Sequence, residues 1–141
     1  MFVDASVIVA ILTNEERSSN CLAALDTHAS MPRITNVLAV WETASGLLRK
    51  KQIPILKAND AIANFLLAAD ITVVGIGDAH RAAALLAFER YGRHNYGDAD
   101  RNRALNMADC FHYAVARVMD LPMLSLDAGF AATDIATVDI A

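Results

Sequence analysis

The chain has only two cysteines, Cys21 and Cys110, in 141 residues. Neither stands in a Cys-x-x-Cys pair or at a Cys/His ligand spacing. They read as two buried thiols in a reducing compartment, packing as small hydrophobes. The four histidines, His28, His80, His94 and His112, show no metal-ligand spacing either, and His112 and Tyr113 read as helix-packing residues. A surplus of positive charge is also missing. The net charge is −4, which excludes a molecule that binds nucleic acid through its overall charge. An anionic substrate then needs a local basic patch or a bound cation.

Targeting signals are absent from the pattern. The start carries Asp4 and no basic stretch, unlike a secretory signal. The most apolar window, residues 61–77, is interrupted by Asn64 and Asp70. It falls short of the ~20 apolar residues of a membrane span. These absences predict a soluble cytoplasmic protein with no membrane partner. Repeats, linkers and low-complexity tracts are missing too, and the length suits one domain over residues 1–141. The run Gly75-Ile76-Gly77-Asp78-Ala79-His80 lacks the third glycine of a dinucleotide-binding loop.

What is present is apolar and alanine-rich. Hydrophobic residues make up 55%, above the usual range for soluble domains, and part of that surplus can cover a partner surface. Phe2 and Val3 read as a buried strand ending at Asp4, followed by a helix capped by Ser6. A second helix is predicted from Asn14 to about His28, and a second strand over Met31 to Ile34. Thr35 or Asn36 caps a helix to about Lys51, and Pro54 opens another to Ala69. Ile71 to Val74 is a third strand. Asp78 caps a helix to about Tyr91, Gly92 to Asn106 is a loop, and Asn106 caps a helix to about Met119. Pro122 to Leu126 is a fourth strand and Thr137 to Ile140 a fifth. Strands alternating with helices predict an α/β fold with a central parallel sheet and helices on both faces.

Four acids stand where such a sheet places chemistry. Asp4 and Asp127 follow strands, whose carboxyl ends share one edge. Glu42 and Asp109 lie on helices that start at or near that edge. Each has an ordinary alternative: a turn for Asp4 and Asp127, a solvated helix face for Glu42, and a capping box with Asn106 for Asp109. Together they mean more, because carboxylates brought close repel unless a cation is present. A hard divalent ion with oxygen ligands resolves that repulsion and suits phosphodiester hydrolysis. Positive charge is supplied locally by Arg90, Arg93, His94, Arg101 and Arg103 around Tyr91 and Tyr96. These can hold phosphates and stack on unpaired bases. Arg49-Lys50-Lys51 is a second basic cluster, suited equally to a helix C-terminus.

The ordered pattern resembles the VapC-type ribonuclease toxins among PIN-domain proteins, over essentially the whole chain. The resemblance is carried by Phe2-Val3-Asp4-Ala5-Ser6-Val7-Ile8-Val9-Ala10, by Glu42 with Leu48-Arg49 after it, and by Phe88-Glu89-Arg90-Tyr91-Gly92-Arg93. It is carried most by Leu105-Asn106-Met107-Ala108-Asp109-Cys110-Phe111-His112-Tyr113-Ala114, by Leu121 to Asp127, and by Phe130 to Ile135. It implies a Mg²⁺- or Mn²⁺-dependent endoribonuclease, the toxin of a type II toxin–antitoxin pair. The implied metal and catalytic acids are Asp4, Glu42, Asp109 and Asp127, with Ser6 and Ser125 as hydroxyls beside the substrate. A three-layer α/β/α fold with strand order 3-2-1-4-5, a homodimer and a cognate VapB-type antitoxin whose C-terminal segment lies in an apolar groove are implied as well. Two features depart from the pattern: the long loop before Leu105, and Asp127-Ala128-Gly129, where further acids are common. Two other classes stay open. A different α/β phosphoryl-transfer enzyme is one, although Ser6 stands where an aspartyl phosphatase wants a second acid, and the lysines are only Lys50, Lys51 and Lys57. A non-catalytic binding module is the other.

Overall fold

The structure, a computed structural model, describes residues 1–141. Its centre is a parallel sheet in the order β3-β2-β1-β4. The strands are β1 (Phe2–Val3), β2 (Arg33–Asn36), β3 (Ile71–Val74) and β4 (Met123–Leu124). Successive strand residues point to opposite faces, so Phe2, Ile34 and Met123 enter one core while Met1, Val3 and Leu124 enter the other. The Val3 side is covered by α1 (Ala5–Leu12), α2 (Ser18–Thr27), α3 (Val37–Lys51) and α4 (Ile55–Ala68). The Phe2 side is covered by α5 (Arg81–Tyr91), α6 (Met107–Val118) and the short α7 (Ala128–Ala131). The result is the expected three-layer α/β/α arrangement.

The helix starts explain why the acids gather at one edge. Asp4 has extended backbone and caps α1, its Oδ2 accepting the Ser6 N–H at 3.2 Å. Ser6 itself is the second residue of that helix, so the expected cap at Ser6 moves back to the aspartate. Asn36 ends β2 and caps α3 by accepting the Ala39 N–H at 3.0 Å. Asn106 and Asp109 form the expected capping box on α6, at 2.8 and 2.9 Å. Gly46 lets α3 lie close on α1: a Cβ there would meet Val9 Cγ2 at 3.1 Å.

Other expectations shift. The second helix begins at Ser18 rather than Asn14, because Asn14 turns the chain at φ 53°. The second strand runs two residues later than expected. Asp78–His80 is one 3₁₀ turn before α5, and the loop after Gly92 holds two more, Arg93–Asn95 and Asp98–Arg103. The fifth strand is reduced to one parallel bridge between Met123 and Thr137. β4 has only two residues, which leaves no longer edge for a fifth strand to pair along. No helix is long and apolar enough to cross a membrane.

Candidate metal centre and active site

Three of the four predicted acids converge. Asp4 ends β1, Asp109 lies in the first turn of α6, and Glu42 faces them from α3. Asp4 and Asp109 are buried, and the Glu42 side chain is 28% exposed. Ligand atoms of Asp4, Asp109 and His112 all lie within 4.8 Å of one another. Glu42 joins the group through His112, whose Nε2 stands 2.6 Å from Glu42 Oε1 and 4.0 Å from Asp4 Oδ1. Asp127 stands at the exposed rim, where its Oδ1 caps α7 by accepting the Gly129 N–H at 2.8 Å. Its charge still reaches Asp109.

Each converging carboxylate has one oxygen held by the protein and the other free. Asp4 Oδ2 accepts the hydroxyls of Ser6 at 2.5 Å and Ser125 at 2.9 Å. Those hydroxyl oxygens in turn accept the backbone N–H groups of Leu126 and Asp127. Asp109 Oδ2 accepts the Asn106 N–H, and Glu42 Oε1 accepts from His112. Asp4 Oδ1, Asp109 Oδ1 and Glu42 Oε2 make no hydrogen bond. No lysine or arginine is paired with any of the four acids. Burial, followed by the charges of Asp4 and Asp127, pushes the Asp109 carboxyl up to about 7, against the Asn106 N–H and His112, which favour its charged form. Clustered, uncompensated carboxylates with free oxygens fit a hard divalent cation.

The predicted basic residues lie further out. Arg90 faces Asp134 at 4.0 Å, and Arg93 is exposed in its 3₁₀ turn; neither is hydrogen-bonded or ion-paired to the four acids. Closer at hand, a cleft of about 430 Å³ shares Ser6 and Glu42 with the acid site and is walled by Trp41, Gly46, Arg49 and Leu126. A separate groove of about 230 Å³ between α5 and α6 is lined by Leu85, Phe88, Met107 and Phe111, with Arg81 as its one charged residue.

His112 stands at the centre of this cluster, where sequence reasoning placed an ordinary packing residue. It is fully buried, stacks at 5.1 Å on Phe2, and touches Asn36 as well as Glu42. Its only sequence signal is its place three residues after Asp109, one turn along the same helix face.

The three-layer fold with acids at the carboxyl edge of its parallel sheet is that of a PIN domain. Residues 1–136 match the PIN domain, and the chain belongs to that family, among its VapC ribonucleases. It is 34% identical over 140 residues to a ribonuclease VapC of Mycolicibacterium smegmatis, covering 98% of this chain and 99% of that protein. It is 31% identical over 139 residues to ribonuclease VapC30 of Mycobacterium tuberculosis, covering 98% of each. The crystal structure of Mycobacterium tuberculosis VapC20, described as a sarcin–ricin loop cleaving toxin, has the same fold. Its TM-score is 0.67 at 21% identity over 97% of both chains.

Proposed function

We propose that this chain is a Mg²⁺- or Mn²⁺-dependent endoribonuclease, the toxin of a type II toxin–antitoxin pair, working as one domain. The observation that carries it is the set of three carboxylates, each with a free oxygen, at the strand edge of a PIN-domain chain. Asp4, Glu42 and Asp109 are the proposed ligands, with Asp127 at the rim as the fourth catalytic acid. A divalent cation held there would neutralise the phosphodiester and supply an acidified water for in-line displacement. Ser6 and Ser125 fix the Asp4 carboxylate at the point where the substrate enters. The RNA backbone is assigned to Arg49 in the adjoining cleft, with Arg90 and Arg93 as separate phosphate contacts outside it.

Two protein partners complete the proposal. The apolar groove between α5 and α6 is assigned to a second copy of the chain, giving a homodimer. A VapB-type antitoxin is assigned to the acid face, which it would cover to silence the enzyme. The setting is the cytoplasm, where the RNA is.

The test is Mn²⁺-dependent cleavage of RNA by the purified chain and by Asp4→Asn and Asp109→Asn. Both variants are expected to lose cleavage while melting cooperatively. Retained cleavage would reject the acid assignment. Metal binding without cleavage of any RNA would favour a non-catalytic module, and a trapped phosphoryl group on Asp4 would favour another phosphoryl-transfer enzyme.

A further inference from the structure

Both ring nitrogens of His112 are engaged, and their partners decide where the ring proton sits. Asn36 Oδ1 accepts the Ala39 N–H at 3.0 Å as the cap of α3. Turning the amide round would set its NH₂ group against that N–H. Asn36 Nδ2 therefore faces His112 Nδ1, at 3.0 Å, as the donor. Nδ1 accepts, so the ring hydrogen is on Nε2 and is donated to Glu42 Oε1 at 2.6 Å. Asn36 and His112 are both 0% exposed, so no solvent water competes for either nitrogen.

We propose that His112 is a positioning residue and not a metal ligand: Asn36 sets its tautomer, and the ring holds Glu42 turned toward Asp4 and Asp109. In this tautomer Nε2 has no lone pair to give a cation, although it lies 4.0 Å from Asp4 Oδ1. For Nε2 to bind a metal, its proton would have to move to Nδ1, against the Asn36 amide. The ring thus does two things. It orients one carboxylate, as an outer-shell partner does, and it leaves an oxygen-only donor set. Oxygen donors suit Mg²⁺ and Mn²⁺, whereas an available imidazole favours Zn²⁺. The proposal rests on the cation site described above.

The first test needs no metal. In a long-range ¹H–¹⁵N spectrum of the metal-free chain, His112 Nδ1 is expected to show a pyridine-type shift and Nε2 a pyrrole-type shift. The reverse would overturn the proposal. The second test is Mn²⁺ and Zn²⁺ binding by calorimetry. His112→Ala is expected to weaken Mn²⁺ binding about 10–100-fold. His112→Gln, whose amide N–H can reach Glu42, is expected to recover part of it, which a packing role alone would not predict. Asn36→Asp keeps the helix cap but presents an acceptor to Nδ1. It is expected to protonate Nδ1, so that this nitrogen loses its pyridine-type shift, and to strengthen Zn²⁺ relative to Mn²⁺ at least about tenfold, since a ring held at Nδ1–H by a carboxylate can give Nε2 to Zn²⁺. Unchanged Mn²⁺ affinity in a cooperatively melting His112→Ala would overturn the proposal. If His112→Ala fails to fold, the Asn36→Asp shifts and metal preference decide. If the unaltered chain binds no Mn²⁺, the cation site falls and the nitrogen shifts decide the tautomer alone.

Discussion

Ser125 Oγ donates to Asp4 Oδ2 at 2.9 Å across 121 residues of chain. With Ser6 Oγ on the same oxygen at 2.5 Å, it saturates one side of the carboxylate and leaves Oδ1 free. Each serine also accepts a backbone N–H from the chain after β4, so the pair ties that segment to the end of β1. Ser125→Ala removes an orienting bond and leaves the Asp127 N–H, at the exposed rim, to water. We expect Mn²⁺ affinity to fall about tenfold with a stability loss of about 1 kcal/mol. Calorimetry and thermal melts measure the two effects separately. A stability loss with unchanged Mn²⁺ affinity would make Ser125 a folding residue only.

Asp109 gives the site its pH dependence. Its carboxyl is raised from 3.8 to about 7, mainly by burial. The folded chain therefore binds this proton more tightly than the unfolded chain. The associated stability is fully present below pH 3.8 and is lost as pH rises through about 7. A shift of this size corresponds to about 4 kcal/mol at most. Asp109→Asn removes the charge and can keep the Asn106 contact. In metal-free solution at pH 8 we expect it to melt several degrees above the unaltered chain, with the gap closing toward pH 4. Cation binding has the opposite trend, because it displaces the proton. Mn²⁺ affinity is expected to rise nearly tenfold per unit below pH 7 and to flatten above it. A pH-independent affinity would count against Asp109 as a ligand.

The convergence of Asp4 and Asp109 was legible because each sits in a local frame that sequence reveals. Asp4 follows two strand residues, and Asp109 completes a capping box with Asn106. Glu42 was legible only as one of four acids near the carboxyl edge of the sheet and through the family resemblance, since its inward aim depends on His112, 70 residues away. His112 was hidden for the same reason: on α6 alone it reads as packing, and its role appears only when β2 and α3 bring Asn36 and Glu42 to its two nitrogens. The fifth strand failed on a non-local fact, the two-residue length of β4 that it would pair with. The start of α2 failed on a backbone fact, the left-handed turn at Asn14.

Trp41 is 70% exposed and lines the cleft that contains its neighbour Glu42. Lys50, which lines the same cleft, is held by Glu15 at 2.5 Å, whereas Arg49 has no acidic partner. An exposed aromatic beside a free cation suits an unpaired nucleotide. Stacking of this kind is worth about 1–3 kcal/mol per base, so Trp41→Ala is expected to raise the RNA Kd about tenfold. Arg49→Ala is expected to lower the salt slope of binding by about one. Neither change should alter Mn²⁺ affinity, because neither residue is among the proposed ligands. Fluorescence anisotropy with a catalytically silent Asp4→Asn background measures both effects. Unchanged RNA affinity in both variants would place the strand elsewhere.

The groove between α5 and α6 is chemically unlike that cleft. Leu85, Phe88 and Met107 are 62%, 48% and 69% exposed along it, and only Arg81 interrupts the apolar lining. A patch of this kind on two packed helices marks a protein interface, and one surface shared by two identical chains closes by two-fold symmetry. Sedimentation velocity should therefore find twice the 15.2 kDa chain mass at micromolar concentration. Leu85→Glu or Phe88→Glu places charge where the second copy would exclude water, and is expected to yield monomers. Because both side chains are already exposed in one chain, each change should move the melting of the monomer by no more than about 0.5 kcal/mol. A monomeric unaltered chain would reassign the groove to the antitoxin, and a dimer that survives both substitutions would place the interface on another face.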